Sequence, residues 1–143
     1  MEPGLGIAGR AQCVGRYEAG DVCSMAVSEQ NGARVILCLT PVVPAAILRN
    51  AARMAGCHIW LDSDDIVYAG EPFIGLHTAA AGVKKVRLPA ERAVVDVFAG
   101  RMISPGCKEF SVRLPRHATA LYYAGDRNEA RAFLRALDAQ EHP

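Results

Sequence analysis

No sign of charge dominates this chain: sixteen Lys and Arg stand against fifteen Asp and Glu, a net charge of +1 over 143 residues. A phosphate backbone is held by a strong positive field, so nucleic acid is not an expected partner. No apolar run approaches the roughly 20 residues of a membrane-spanning helix, and no membrane role is expected. Residues 1–10 contain an acid, Glu2, and no continuous apolar stretch, so the parts of a secretory signal are missing. The five cysteines, at 13, 23, 38, 57 and 107, are odd in number and include no C-x-x-C pair. That spacing suggests neither a disulfide framework nor a zinc site. Reduced, mostly buried thiols in a reducing, cytoplasmic compartment are expected instead. Gly4, Gly6 and Gly9 have the G-x-G-x-x-G order but no strand ahead of them, so the nucleotide motif fails in context and no cofactor is expected.

What is present describes a folded chain of mixed class. Hydrophobic residues make up 51% and charged residues 22%, inside the globular range and against disorder. Residues 12–17 and 24–28 read as strands around a turn at 18–21. Asn31-Gly32 is a turn signal, and the nearly all-apolar run 33–39 predicts a central strand covered on both faces. Pro41 and Pro44 end it, and Pro44 suits the first turn of a helix over 44–55. Ile47, Leu48, Ala51, Ala52 and Ala55 form one face of that helix, and Gly56 supplies a left-handed cap.

From Cys57 the hydrophobic period changes to two. Runs at 57–61, 66–69, 73–78, 83–88, 93–98, 109–114 and 117–124 predict six or seven short strands of a sandwich or barrel. Val86 and Leu88 alternate with Lys85 and Arg87, and Phe110, Val112 and Leu114 with Ser111 and Arg113, so one face is wet. Arg87-Leu88-Pro89 and Arg113-Leu114-Pro115 close two runs alike, as a weak internal repeat or as the stop that Leu-Pro gives any strand. Asp126 and Glu129 have capping-box form ahead of a last helix, over about 127–139. The expected class is α+β: a short α/β segment over 1–56, a small antiparallel β-sandwich over 57–125, and a C-terminal helix and tail over 126–143.

Three sets of residues are candidates for chemistry. Asp62, Asp64 and Asp65 fall within four positions, a cluster that serves as a turn former or collects a hard cation such as Ca²⁺. Trp60, Tyr68 and Tyr122, with Phe73 and Tyr123, are either core residues or a stacking platform for sugar rings. His58 and His77 beside the aspartates would be the hydrolytic version, although His58, His77 and His117 sit in strand-like contexts where structural histidines are commoner. Glu71, Glu91, Asp96 and Glu109 are scattered over different strand ends and turns, and no two are marked as the carboxylate pair of a glycosidase.

Taken in order, several of these segments resemble the C-terminal region of β-galactosidase-like enzymes related to glycoside hydrolase family 42. The segments are Val14-Gly-Arg-Tyr-Glu18, the helix Pro44 to Gly56, and His58-Ile-Trp-Leu-Asp-Ser-Asp-Asp-Ile-Val-Tyr-Ala69. They continue in Phe73-Ile-Gly-Leu-His77, Val95-Asp-Val-Phe98, Phe110-Ser-Val-Arg-Leu-Pro115 and Thr119-Ala-Leu-Tyr122. The resemblance covers roughly 12–124. It implies the end of a flavodoxin-like trimerisation domain over 12–56 and a small β-domain over 57–124, without the catalytic barrel. No catalytic residue is carried over. The expected role is that of a non-catalytic accessory portion, whose partner is a barrel domain or another copy of the chain. The alternative is a free carbohydrate-binding β-module.

Overall fold

The computed structural model describes residues 11–18 and 22–141. The turn at 18–21 and Gly4, Gly6 and Gly9 therefore lie wholly or partly outside the described residues. The class is α+β, with two antiparallel sheets and two helices among the described residues. The chain divides into one compact unit over 1–51 and another over 52–143.

The first unit is a meander of β1 (Gln12–Arg16), β2 (Cys23–Gln30) and β3 (Ala33–Cys38), in that spatial order. Asn31 and Gly32 both have positive φ, 51° and 77°, the backbone that a two-residue primed hairpin turn demands. Gln30 faces Ala33 across it. Two expectations fail in this unit. Strand β3 lies at the edge rather than the centre, with Val35 40% and Leu37 39% exposed. Cys13 and Cys23 form a disulfide between β1 and β2, so the premise of five reduced thiols falls, and with it the argument for a reducing compartment. Among the described residues, Cys38, Cys57 and Cys107 remain free.

Helix α1 (Ala45–Met54) forms where expected. The Pro44 carbonyl accepts the Ile47 and Leu48 N–H groups, at 2.9 and 3.3 Å. At the other end Gly56 takes φ 77°, and Gly56 and Cys57 donate to the Arg53 and Ala52 carbonyls at 3.0 and 2.9 Å. That pair of bonds is the Schellman arrangement, available because glycine bears the left-handed backbone without cost. No residue of α1 is buried.

The second unit is one five-stranded antiparallel sheet, ordered β4-β5-β8-β6-β7. Its strands are β4 (Ile66–Gly70), β5 (Phe73–His77), β6 (Gly82–Asp96), β7 (Arg101–Leu114) and β8 (Thr119–Gly125). The sheet is sandwich-like because β6 and β7 are long and bend. Their register breaks between Arg87 and Arg92, where Pro89 has no N–H to give the ladder. Val86 before the break, Leu88 within it and Val94 beyond it then share one core with Ile74, Leu76, Phe110, Ala120 and Tyr122. The expected strands 83–88 and 93–98 are thus two arms of β6, and 101–108 belongs to β7 although no strand was read there. Pro89 lies inside a strand while Pro115 follows one, so the Leu-Pro tripeptides mark no structural repeat. Residues 57–61 form no strand; their backbone meets β6 through the Arg87 N–H, which donates to the Trp60 carbonyl at 2.9 Å.

The other face of the sheet is closed by α2 (Arg127–Glu141). Ala130, Phe133 and Leu134 pack against Ala93, Val95 and Tyr123. Tyr123 stacks on Phe133 with ring centroids 4.5 Å apart. Burial, with the Glu129 carboxylate nearby, pushes the Tyr123 phenol above its ordinary range.

Candidate functional site

The aspartate loop joins α1 to β4, and its side chains turn in different directions. Asp62 is bound by two guanidinium groups, Arg53 and Arg87, the latter at 2.5 Å. Asp65 points inward. Its carboxylate meets the Lys84 ammonium at 2.7 Å, with side-chain exposures of only 1% and 6%. It also accepts the Ser63 hydroxyl at 2.6 Å and the Ala79 N–H at 2.8 Å. Burial acts to raise the Asp65 carboxyl, but the Lys84, Ser63 and Ala79 donors outweigh it and hold the group below the usual carboxylate range.

The oxygens that would ligate a cation are therefore already taken up by cations and donors of the protein. Among the described residues no three His, Cys, Asp or Glu groups stand together as a metal site. Asp62 and Asp65 are held by these contacts as braces of the loop.

Beside the loop, Thr78 is fully buried and clamps the β7–β8 turn. Its hydroxyl donates to the Pro115 carbonyl at 2.6 Å and accepts the Ala118 N–H at 2.9 Å. His77 and His117 stack at 6.5 Å, and His77 contacts the Thr119 hydroxyl at 2.9 Å. His58 meets the Arg87 carbonyl at 3.0 Å and the edge of Trp60 at 4.9 Å. Each of these three histidines takes part in local bracing, and among the described residues none of them meets an aspartate.

The three aromatic candidates do not form a platform. Tyr68 stands 74% exposed on the edge strand β4. Trp60 is half-buried at a shallow cleft of about 20 Å³ that also involves Phe73, Leu88 and the Glu71–Arg92 pair. Tyr122 is 1% exposed, with its ring against Phe110 at 5.0 Å. A sugar stacks on an open ring face, and the Tyr122 ring is covered.

Tyr122 instead ends at a larger hollow of about 380 Å³ between the two arms of β7. Asp96, Arg101, Ser111 and Arg113 line it. Burial pushes the Tyr122 phenol up to about 12, the nearby Asp96 adding to the rise and Arg101 opposing it. The hydroxyl is thus a donor at any physiological pH.

Sequence reasoning missed Lys84 and this hollow. The signal for Lys84 was present, because Lys84 shares the parity of Val86 and Leu88, the inward positions of β6. The hollow carried no local signal, since its residues are brought together by the bend in β7.

Comparison with family models, with curated proteins and with solved structures finds no match to this chain.

Proposed function

We propose that the chain is a non-catalytic accessory portion of a β-galactosidase-like glycoside hydrolase, and that it serves subunit association through self-assembly at β3 and α1. The enzyme context comes from the segment resemblance. The association rests on one observation: β3 and α1 are strongly apolar on one side yet bury little of it, with Val35 40%, Leu37 39%, Leu48 58% and Met54 56% exposed. An amphipathic helix forms in water mainly because its apolar face is covered, and an apolar edge strand left open invites pairing. The second unit supports the same role, because Asp62, Asp65, Glu71 and Glu109 all bind Lys or Arg side chains.

Sedimentation velocity on the full chain over a range of concentrations tests the reading. Oligomers are expected, dissociated by Val35→Lys combined with Leu48→Lys, both at exposed positions that leave the monomer intact. A monomer at every concentration contradicts it.

A further inference from the structure

The hollow at Tyr122 has the construction of a ligand site. A phenol whose residue is 99% buried is seldom left without a hydrogen bond. Among the described residues none reaches the Tyr122 hydroxyl, and it is not sealed inside the protein either. Its outlet is therefore the hollow, which it lines together with Arg101 and Arg113. Among the described residues neither arginine has an acidic partner within ion-pair distance. Asp96, the carboxylate of the hollow, is turned to the Ala99 N–H at 3.0 Å and keeps acceptor capacity to spare.

We infer that this hollow binds a small monoanionic hydroxy-carboxylate of monosaccharide size, such as a uronic acid. Two guanidinium groups and one carboxylate leave the site a net charge of one positive, which balances a monoanion. The planar guanidinium fork matches a carboxylate in two parallel bonds. The Tyr122 hydroxyl donates a further hydrogen bond to the anion. Asp96 and the Ser111 hydroxyl are suited to sugar hydroxyls, and Asp96 repels a second negative charge, so a phosphate dianion fits less well. The volume lies in the range of small-molecule sites. The assignment goes beyond the association reading and involves none of the β3 and α1 residues on which that reading rests.

Calorimetric titration of the full chain with galacturonate, galactose and inorganic phosphate tests it. Galacturonate is expected to bind saturably, and galactose and phosphate at least tenfold more weakly. Tyr122→Phe keeps the ring against Phe110 and should weaken galacturonate roughly tenfold, the worth of one hydrogen bond to a charged group. Arg101→Gln, at an exposed position, should weaken it by at least as much. Folding of both variants is checked by Trp60 fluorescence. Absence of saturable galacturonate binding at millimolar concentrations, equal binding of galactose, or an unchanged affinity in both variants overturns the assignment.

Discussion

Replacing Lys84 by Met should cost the second unit about 3 kcal/mol, at the low end of what is lost when one member of a buried ion pair is removed. The Asp65 carboxylate is 1% exposed and would lose its counter-charge while keeping the Ser63 and Ala79 donors at 2.6 and 2.8 Å. Those two bonds limit the loss. Asp65→Asn leaves the Lys84 ammonium covered and uncompensated and should cost a similar amount. The double variant carries no buried charge and keeps a carbonyl for the Ala79 N–H, so it should be more stable than either single variant by about 2 kcal/mol.

The pH dependence gives a second sign to check. In the native chain Asp65 is held below its ordinary pKa. Its stabilisation is present above the unfolded value and is lost as pH falls through the folded one, because the unfolded chain takes up the proton first. Without Lys84 the carboxyl is held down less strongly, so the deficit of Lys84→Met should be largest near neutral pH and shrink toward acid. Urea unfolding read by Trp60, the single tryptophan, reports on this unit. Single-variant losses below about 1 kcal/mol, or strictly additive losses, would refute the dry ion pair.

Thr78→Val keeps the shape but orphans the Pro115 carbonyl and the Ala118 N–H, which should cost about 1–3 kcal/mol and speed hydrogen exchange at Ala118. Gly125→Ala places a Cβ within 2.7 Å of the Tyr123 ring; that ring is pinned by Phe133, so a loss of about 1–3 kcal/mol in thermal or urea unfolding is expected. Reductant should raise the cysteines open to alkylation from three to five. It should also destabilise the first unit by about 3 kcal/mol, the worth of closing a loop of roughly ten residues. Equal alkylation with and without reductant removes the Cys13–Cys23 bond from the account.

Local rules were legible wherever a feature was contained in one stretch of chain. The Asn31-Gly32 turn, the Pro44 entry and Gly56 exit of α1, the alternation in β6 and β7 and the last helix each depend on neighbours within a few positions. What escaped depends on distant residues. The apolar composition of 33–39 says that β3 belongs against something, not whether this chain supplies it, so a central strand was expected where an edge strand lies. Pro89 reads as a stop because Pro removes a ladder bond, yet at a register break no bond is lost and the strand continues. Cys13 and Cys23 carry no spacing signature; only the pairing of β1 with β2 brings their Cα atoms to 5.9 Å. The candidate aspartates were legible as a loop, and their roles were set by Arg53, Lys84 and Arg87 arriving from elsewhere in the unit.

Hydrogen exchange of the full chain at low and high protein concentration tests most directly whether β3 and α1 form an association surface. The account predicts that amides of Ala33–Cys38 and Ala45–Met54 gain protection as concentration rises, while those of β5 and β8 do not change. Protection of β3 and α1 that is independent of concentration would contradict it.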